Sequence, residues 1–343
     1  MASATKLINS MLQVLIPRQR DVIIARFGIG GKGEEETLAS IGKKMNITRE
    51  RVRQIEKSAL DTLRTHISEN PLCVELLNSG KKRLKNAGGV LRIELMHKHN
   101  DSVLDGLGDG QFHLILESSG AFNFYPADDD YWPFYYLSAN DLKRASSFTE
   151  SWINFLKGCK QEALSGNYAQ LLKSFVKTKN VNKDHAENFL GITKKIHANP
   201  YGDMGMRDWP EIRPKTARDR AYLALKKKNK PLHFTEIAEE INKYELSPQL
   251  ALASTVHNEL IKDSRFVLVG RGMYALKESG YEPGIAREII QKVLKKHGPL
   301  SLKDVINTVG EQRFFKPNTI IINLQNRNFF ERLPDGTYRV RGS

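Results

Sequence analysis

Between Ile47 and Arg64 the chain reads ITRERVRQIEKSALDTLR, and two periodic stripes leave this stretch few ways to fold. Val52, Ile55, Ala59 and Leu63 recur at steps of three and four, the period of a helix resting on a core. Arg49, Arg53 and Lys57 recur at every fourth residue, as do Glu50 and Gln54, so a polar stripe runs along another side of the same helix. Arg, Gln and Glu are side chains that read base edges in a major groove, although a solvated charged face has the same composition. The surrounding sequence has to decide between the two.

Immediately upstream, Thr48 is placed to cap the helix, because its hydroxyl can accept from a free backbone N–H. TLASIGKKMN reads as a shorter helix capped by Thr37, with Leu38 and Ile41 inward and Lys43 and Lys44 outward. Asn46 then stands where the chain turns sharply, since Asn tolerates the left-handed conformation. Two helices joined by about four residues, the second bearing the polar stripe, is the helix-turn-helix pattern. PRQRDVIIARFGI predicts a further helix from Pro17, whose fixed φ suits a first turn. GIGGKGEEE is a glycine-rich loop, but glutamates follow its last Gly where a phosphate loop needs Lys-Ser/Thr.

With these residues in order, PRQRDVIIARFGIGGKGEEETLASIGKKMNITRERVRQIEKSALDTLR resembles region four of primary bacterial sigma factors, the module that binds the −35 promoter element. RFG-I, the T-L-x-x-I-G start and the run T-R-E-R-V-R-Q-I-E carry the likeness. The resemblance implies that Arg49, Glu50, Arg53 and Gln54 contact bases and nearby backbone, with Arg51 and Lys57 in the same DNA-binding set. It places Arg18, Arg26, Thr37 and Leu38 at positions that touch DNA backbone. It also implies double-stranded −35-like DNA as partner, and core RNA polymerase, through the β flap, as a second. Arg53 is suited to a bidentate bond with guanine O6 and N7, and Glu50 to accept from a cytosine amino group; each good base contact discriminates by roughly 1–3 kcal/mol. Only a short segment precedes Pro17, so the expectation is a chain without the sigma regions that grip core polymerase and melt the −10 element.

Composition agrees with a polyanionic partner. Lys plus Arg total 53 against 39 Asp plus Glu, a net charge of +14, which favours nucleic acid first and a membrane surface second. Residues 1–70 carry 12 basic and 8 acidic side chains, 71–214 carry 18 and 17, and 215–343 carry 23 and 14, so the two ends hold the excess. The two cysteines, Cys73 and Cys159, exclude a disulfide framework and a Cys-based zinc module, and fit a reducing cytosol. LINSMLQVLIP is too interrupted for a signal peptide, and no apolar run approaches the roughly 20 residues of a membrane span. The expected location is cytoplasmic, at the nucleoid.

From Ala217 a different grammar begins: a helix to Lys228, a short strand at 231–234, a helix at 235–244, a helix from Pro248 to Lys262, and strands 266–269 and 273–276 around a Gly270-Arg271-Gly272 turn. Three helices and a two-stranded wing make a winged helix. KPLHFTEIAEEI and TVHNELIKDSRFVLVGRGMYAL resemble the HARE-HTH family, winged helices related to the N-terminal domain of the polymerase delta subunit. The pattern recurs from Ile285 to Val340, which points to internal duplication. Its third helix is expected over 317–328, presenting Asn318, Thr319, Asn323, Gln325, Asn326 and Arg327, with Asp335-Gly336 at the wing tip. For DNA contact the first copy offers Thr255, His257, Asn258, Lys262, Arg265 and Arg271, and the second Asn323, Asn326 and Arg327. Protein docking is the alternative use of both modules.

The middle is least informative. VLRIELMHKH, SSFTESWINFLKGCKQEAL and YAQLLKSFVKTKN have helical spacing, whereas FHLILESSGAFNFYPADDDYWPFYYL reads as strands joined by a loop with Asp128, Asp129 and Asp130. Its aromatics suit either a platform for unpaired bases or, more simply, a core. His97 and His99, two apart, do not make a metal site on a helix; no catalytic set and no cofactor motif is visible, and no enzyme is expected. The expected fold is mainly α: a helix-turn-helix (1–68), a helical α+β middle (69–200), a linker (201–215) and two tandem winged helices (216–280 and 281–343). The expected function is a sigma-like, sequence-specific DNA-binding transcription factor acting with RNA polymerase, the alternative being an architectural or protein-docking factor.

Overall fold

A computed structural model describes residues 2–30, 34–98, 106–281, 284–312 and 315–342, and the chain is mainly α. It forms two units, residues 1–197 with 205–207, and residues 198–204 with 208–343. Gly31 to Gly33 of the glycine-rich loop and His99 lie outside the described residues. Among the described residues no helix is long and apolar enough to cross a membrane.

The first unit opens with α1 (Ala2–Gln13), α2 (Pro17–Arg26), α3 (Leu38–Met45), the 21-residue α4 (Arg49–Glu69) and α5 (Pro71–Asn86). Pro17 stands in the first turn of α2, where a missing N–H costs nothing. The apolar stripe of α4 serves two cores. Val52 and Ile55 close over Val22 and Ile41 in a small cluster. Ala59, Leu63 and Ile67 belong to a larger cluster that gathers residues from Ala4 to Tyr135. This larger core therefore runs across residue 68 without a break.

After β1 (Val90–Arg92) and α6 (Ile93–His97) comes α7 (Asp109–Ser119), which packs along α4. The sequence pattern suggested a strand over part of this segment. Phe112, His113, Leu114, Ile115 and Leu116 are all buried, and a continuous apolar run has no period to distinguish a buried helix from a strand. The hairpin beyond it is where it was expected: β2 (Asn123–Tyr125) pairs antiparallel with β3 (Phe134–Tyr136), and β1 joins on the other side of β3. So VLRIELMHKH begins as strand and continues as helix. Phe122, Phe134 and Tyr135 are buried, which makes the aromatics mainly core; Trp132 is 39% exposed, with the Arg92 guanidinium 4.8 Å and the Lys194 ammonium 5.0 Å from its ring.

Three further helices, α8 (Ala139–Gly158), α9 (Lys160–Glu162) and α10 (Tyr168–Thr178), are followed by α11 (Lys183–Gly191), and Phe148, Trp152, Phe175 and Phe189 meet edge-on among them. The division between the units falls around β4 (Ile196–Ala198) and β5 (Met204–Met206).

The second unit holds two winged helices, each with its own core. The first comprises α12 (Ala217–Lys228), β6 (Leu232–His233), α13 (Phe234–Lys243), α14 (Ala253–Lys262), β7 (Phe266–Gly270) and β8 (Met273–Leu276), with sheet order β6-β8-β7. The second comprises α15 (Ala286–His297), α16 (Leu302–Gln312), α17 (Pro317–Leu324), β9 (Phe330–Arg332) and β10 (Tyr338–Val340). Two elements are shorter than expected, for local reasons. The Asn242 side chain takes the N–H of Ala251 at 2.7 Å and donates to its carbonyl at 3.1 Å, which holds residue 251 by its main chain and delays α14 from Pro248 to Ala253. Asn326 accepts from Asn328 N–H at 3.1 Å, an Asx turn that stops α17 at Leu324 instead of Asn328.

Two glycines mark the tightest approaches in the first unit. A Cβ on Gly42 would stand 2.8 Å from the carbonyl oxygen of Ile47, and one on Gly110 would fall on the carbonyl oxygen of Phe27. Gly158 has nothing within 4 Å of its Cβ position. Gly42→Ala should therefore cost about 1–3 kcal/mol and Gly110→Ala more than Gly42→Ala. Gly158→Ala should be neutral or stabilise by up to ~1 kcal/mol. Urea unfolding of the three variants checks the order.

Candidate nucleic-acid interface

The α3–turn–α4 pair is built by its caps. Thr37 Oγ1 accepts from Ser40 N–H at 3.1 Å, and Thr48 Oγ1 accepts from Arg51 N–H at 3.1 Å. Between them Asn46 takes φ 50° and ψ 48°, the left-handed conformation that ends α3. With Gly42 pressed against the start of α4, the crossing of the two helices is fixed by backbone alone.

Arg49, Glu50, Arg51, Arg53, Gln54 and Lys57 are all exposed on α4. They are not idle. Arg53 grips Glu50 with two nitrogens at 2.6 and 2.9 Å, and Arg51 donates to Gln54 Oε1 at 3.0 Å. The hydrogen bond from Arg53 holds the Glu50 carboxyl below its usual range, and the same bond raises the Arg53 guanidinium. Four cations and one anion on this face leave it strongly positive, in a geometry that fits a major groove.

The residues carried over by family likeness are placed unevenly. Arg18 is exposed at the start of α2. Thr37 is exposed, with its hydroxyl already taken by the cap. Leu38 is half-buried and packs against the small core. Arg26 is turned inward: its Nε meets Glu56 at 3.0 Å and a second nitrogen donates to the carbonyl of Glu36 at 3.1 Å. Burial raises the Glu56 carboxyl against the pull of Arg26, so Arg26 serves first as the counter-ion of a half-buried acid.

In the first winged helix, His257 was expected on the outward face, but it stacks on Phe234 at 4.5 Å and meets Tyr274 edge-on. Arg265 is spent on Asp263 and Asp219 at 2.7 and 3.2 Å. Thr255, Asn258, Lys262 and Arg271 are exposed. In the second, Asn323 donates to the carbonyl of Thr319 at 2.8 Å and is half-buried, while Asn318, Gln325, Asn326 and Arg327 are exposed. The third helix of each winged unit thus presents fewer cations than α4.

Asp128–Asp130 are engaged in their own loop: Asp128 accepts from Tyr125 Oη and two backbone N–H groups, and Lys195 holds Asp130 at 2.7 Å. Among the described residues no group of three or more His, Cys, Asp or Glu is placed to hold a metal.

A helix-turn-helix with two capped helices and an outward cationic second helix defines a DNA-binding class of module. Comparison with known families makes it specific: residues 11–65 match Sigma-70, region 4, and residues 215–279 match HARE-HTH, the ASXL and restriction endonuclease HTH domain. Over 68 residues the chain is 46% identical to the RNA polymerase sigma factor SigA4 of Synechococcus elongatus, which covers 20% of this chain and 21% of that protein. It is 51% identical over 59 residues to the RNA polymerase sigma-B factor of a Nostoc species, covering 17% and 18%. It is 50% identical over 58 residues to the sigma factor RpoD of Helicobacter pylori, covering 17% and 9%. The chain spans about a fifth or less of the length of these relatives.

One ionised group gave no signal in the sequence. His113, inside the apolar run FHLIL, is buried with Nδ1 3.3 Å from Glu35 and Nε2 3.2 Å from Glu117, the second an ion pair without hydrogen-bond geometry. Phe27, Phe124 and Tyr135 surround its ring. Burial opposes its charge, but the two carboxylates overcome that and push its pKa up to about 9. A raised histidine stabilises the fold fully below its unfolded value near 6.5 and loses that contribution as pH rises through 9. Unfolding free energy should fall by up to about 3 kcal/mol between roughly pH 6.5 and 9.5. In His113→Gln the same pH scan should lose most of this slope.

Proposed function

We propose that this chain is a sigma-like, sequence-specific DNA-binding transcription factor that reads −35-type promoter DNA and acts with RNA polymerase in initiation or its control. The single observation that carries the reading is the cationic stripe of α4, held outward by a capped helix-turn-helix in the stretch that matches sigma-70 region 4. Arg49, Glu50, Arg53 and Gln54 are the base readers in this account. Arg51, Lys57 and Arg18 meet phosphates, and Thr37 and Leu38 set the backbone contact from the start of α3. Because the Arg53–Glu50 and Arg51–Gln54 pairs are fully exposed, exchanging them for base edges and phosphates is cheap. Polymerase enters as a partner because the relatives that match this stretch are polymerase sigma factors. The location that goes with this role is the cytoplasm, at the nucleoid, and no catalytic step or cofactor is part of it.

A second reading, an architectural or docking factor, is favoured by one observation: the winged units present few cations on their recognition helices. It applies to those units and leaves α4 untouched.

Base reading and phosphate binding differ in how mutations behave. Arg53→Ala and Gln54→Ala should each weaken the preferred duplex by about 5- to 150-fold and relax preference at one base pair. Lys57→Ala and Arg18→Ala should weaken all duplexes alike and lower the salt slope by about one. Equal losses on every sequence for Arg53→Ala and Gln54→Ala, measured by fluorescence anisotropy, would leave only phosphate binding.

A further inference from the structure

Between the first turn of α12 and the segment leading into α14 lies a cavity of about 260 Å³, lined by Ala217, Arg220, Ile241, Leu250, Leu252 and Thr255 among others. Its walls hold one cation and no acid. Arg220 gives one terminal nitrogen to the carbonyl of Lys215 at 3.0 Å, while its Nε is buried without a hydrogen-bond partner among the described residues. A buried guanidinium N–H left without an acceptor is costly, and a carboxylate is the acceptor that suits it best.

The mouth of the cavity is apolar. Leu250 is 75% exposed and Leu252 58%, and the outward face of α14 continues past Asn258 to Ile261, 63% exposed. Large apolar side chains grouped in this way on a surface mark a contact site. The same face is nearly neutral: Lys262 lies 3.5 Å from Glu259, which also takes Arg218. A helix that meets DNA needs cations for the phosphates, as on α4; α14 offers leucine and isoleucine instead.

We propose that this face of the first winged helix docks a protein segment that is both acidic and apolar. An Asp or Glu carboxylate of that segment enters the cavity to meet Arg220, and leucine-type side chains cover Leu250, Leu252 and Ile261. The extent of the surface selects a peptide over a free small acid. The ten residues of α14 carry it about 15 Å beyond the cavity, farther than a small carboxylate reaches. The proposal concerns a different module from α4, and its test needs no promoter DNA.

The experiment is a methyl NMR titration of the full chain, labelled at Ile, Leu and Val, with an end-blocked hexapeptide of alternating leucine and aspartate. Methyls of Ile241, Leu250, Leu252 and Val256 should shift and saturate. The same peptide with asparagine for aspartate should bind at least tenfold more weakly, and Arg220→Gln should abolish that difference. Arg220→Gln also removes the contact to Lys215, so Leu250→Ser, at an exposed position, is the second variant. It should weaken the acidic peptide at least fivefold with the other methyl resonances in place. No shift at these methyls, or equal affinity for the two peptides, overturns the proposal. So does octanoate binding as tightly as the acidic peptide, or a promoter duplex that shifts these methyls in its place.

Discussion

The recognition helix is anchored at two places along its length, and the first unit depends on that. Its N-terminal half closes the small helix-turn-helix core through Val52 and Ile55; its C-terminal half enters the larger core through Ala59, Leu63 and Ile67. An isolated helix-turn-helix of this size buries little. Here α7 packs along the far half of α4, Gly110 lets α7 approach the end of α2, and the pair of Glu35 and Glu117 around His113 ties the loop before α3 to α7. The cationic stripe is therefore presented by a rod about 31 Å long whose other end is part of a substantial domain. Base reading needs its side chains held close to the productive geometry, and a doubly anchored helix provides that.

Much of this interface was legible because its signals are local. Thr37, Asn46 and Thr48 each act through a backbone group within three or four residues, and the two stripes of α4 follow from helical period alone. The misreadings involve partners that local period does not show. Residue 251 is pinned by Asn242 from the preceding helix. Phe112 to Leu116 are buried on every side, so their pattern has no period to read. Arg26 looked like an available cation until Glu56, 30 residues on, claimed it. His113 gave no sign of its charge, since Glu35 reaches it from 78 residues away. The cavity at Arg220 was invisible for the same reason: it exists only where α12 meets the approach to α14.

The two ends of the chain carry its basic excess, yet they carry it differently. On α4 the cations lie together on one exposed face. In the first winged helix several of them are matched: Arg218 with Glu259, Arg265 with Asp219 and Asp263, Lys227 with Asp203 and Lys228 with Glu240. Net charge alone did not distinguish a DNA-reading face from a paired, protein-facing one; the pairing does. The picture that results is a promoter reader at one end joined to docking modules at the other.

That picture makes association with polymerase its central claim, and co-purification tests it most directly. The tagged full chain would be recovered from its own cells after nuclease treatment, and the core RNA polymerase subunits quantified against it. The account predicts the core subunits in near-stoichiometric amount, with recovery unchanged by nuclease. Their absence, with the chain still binding its preferred duplex, would contradict it and leave a free-standing DNA-binding protein built on a sigma-type helix-turn-helix.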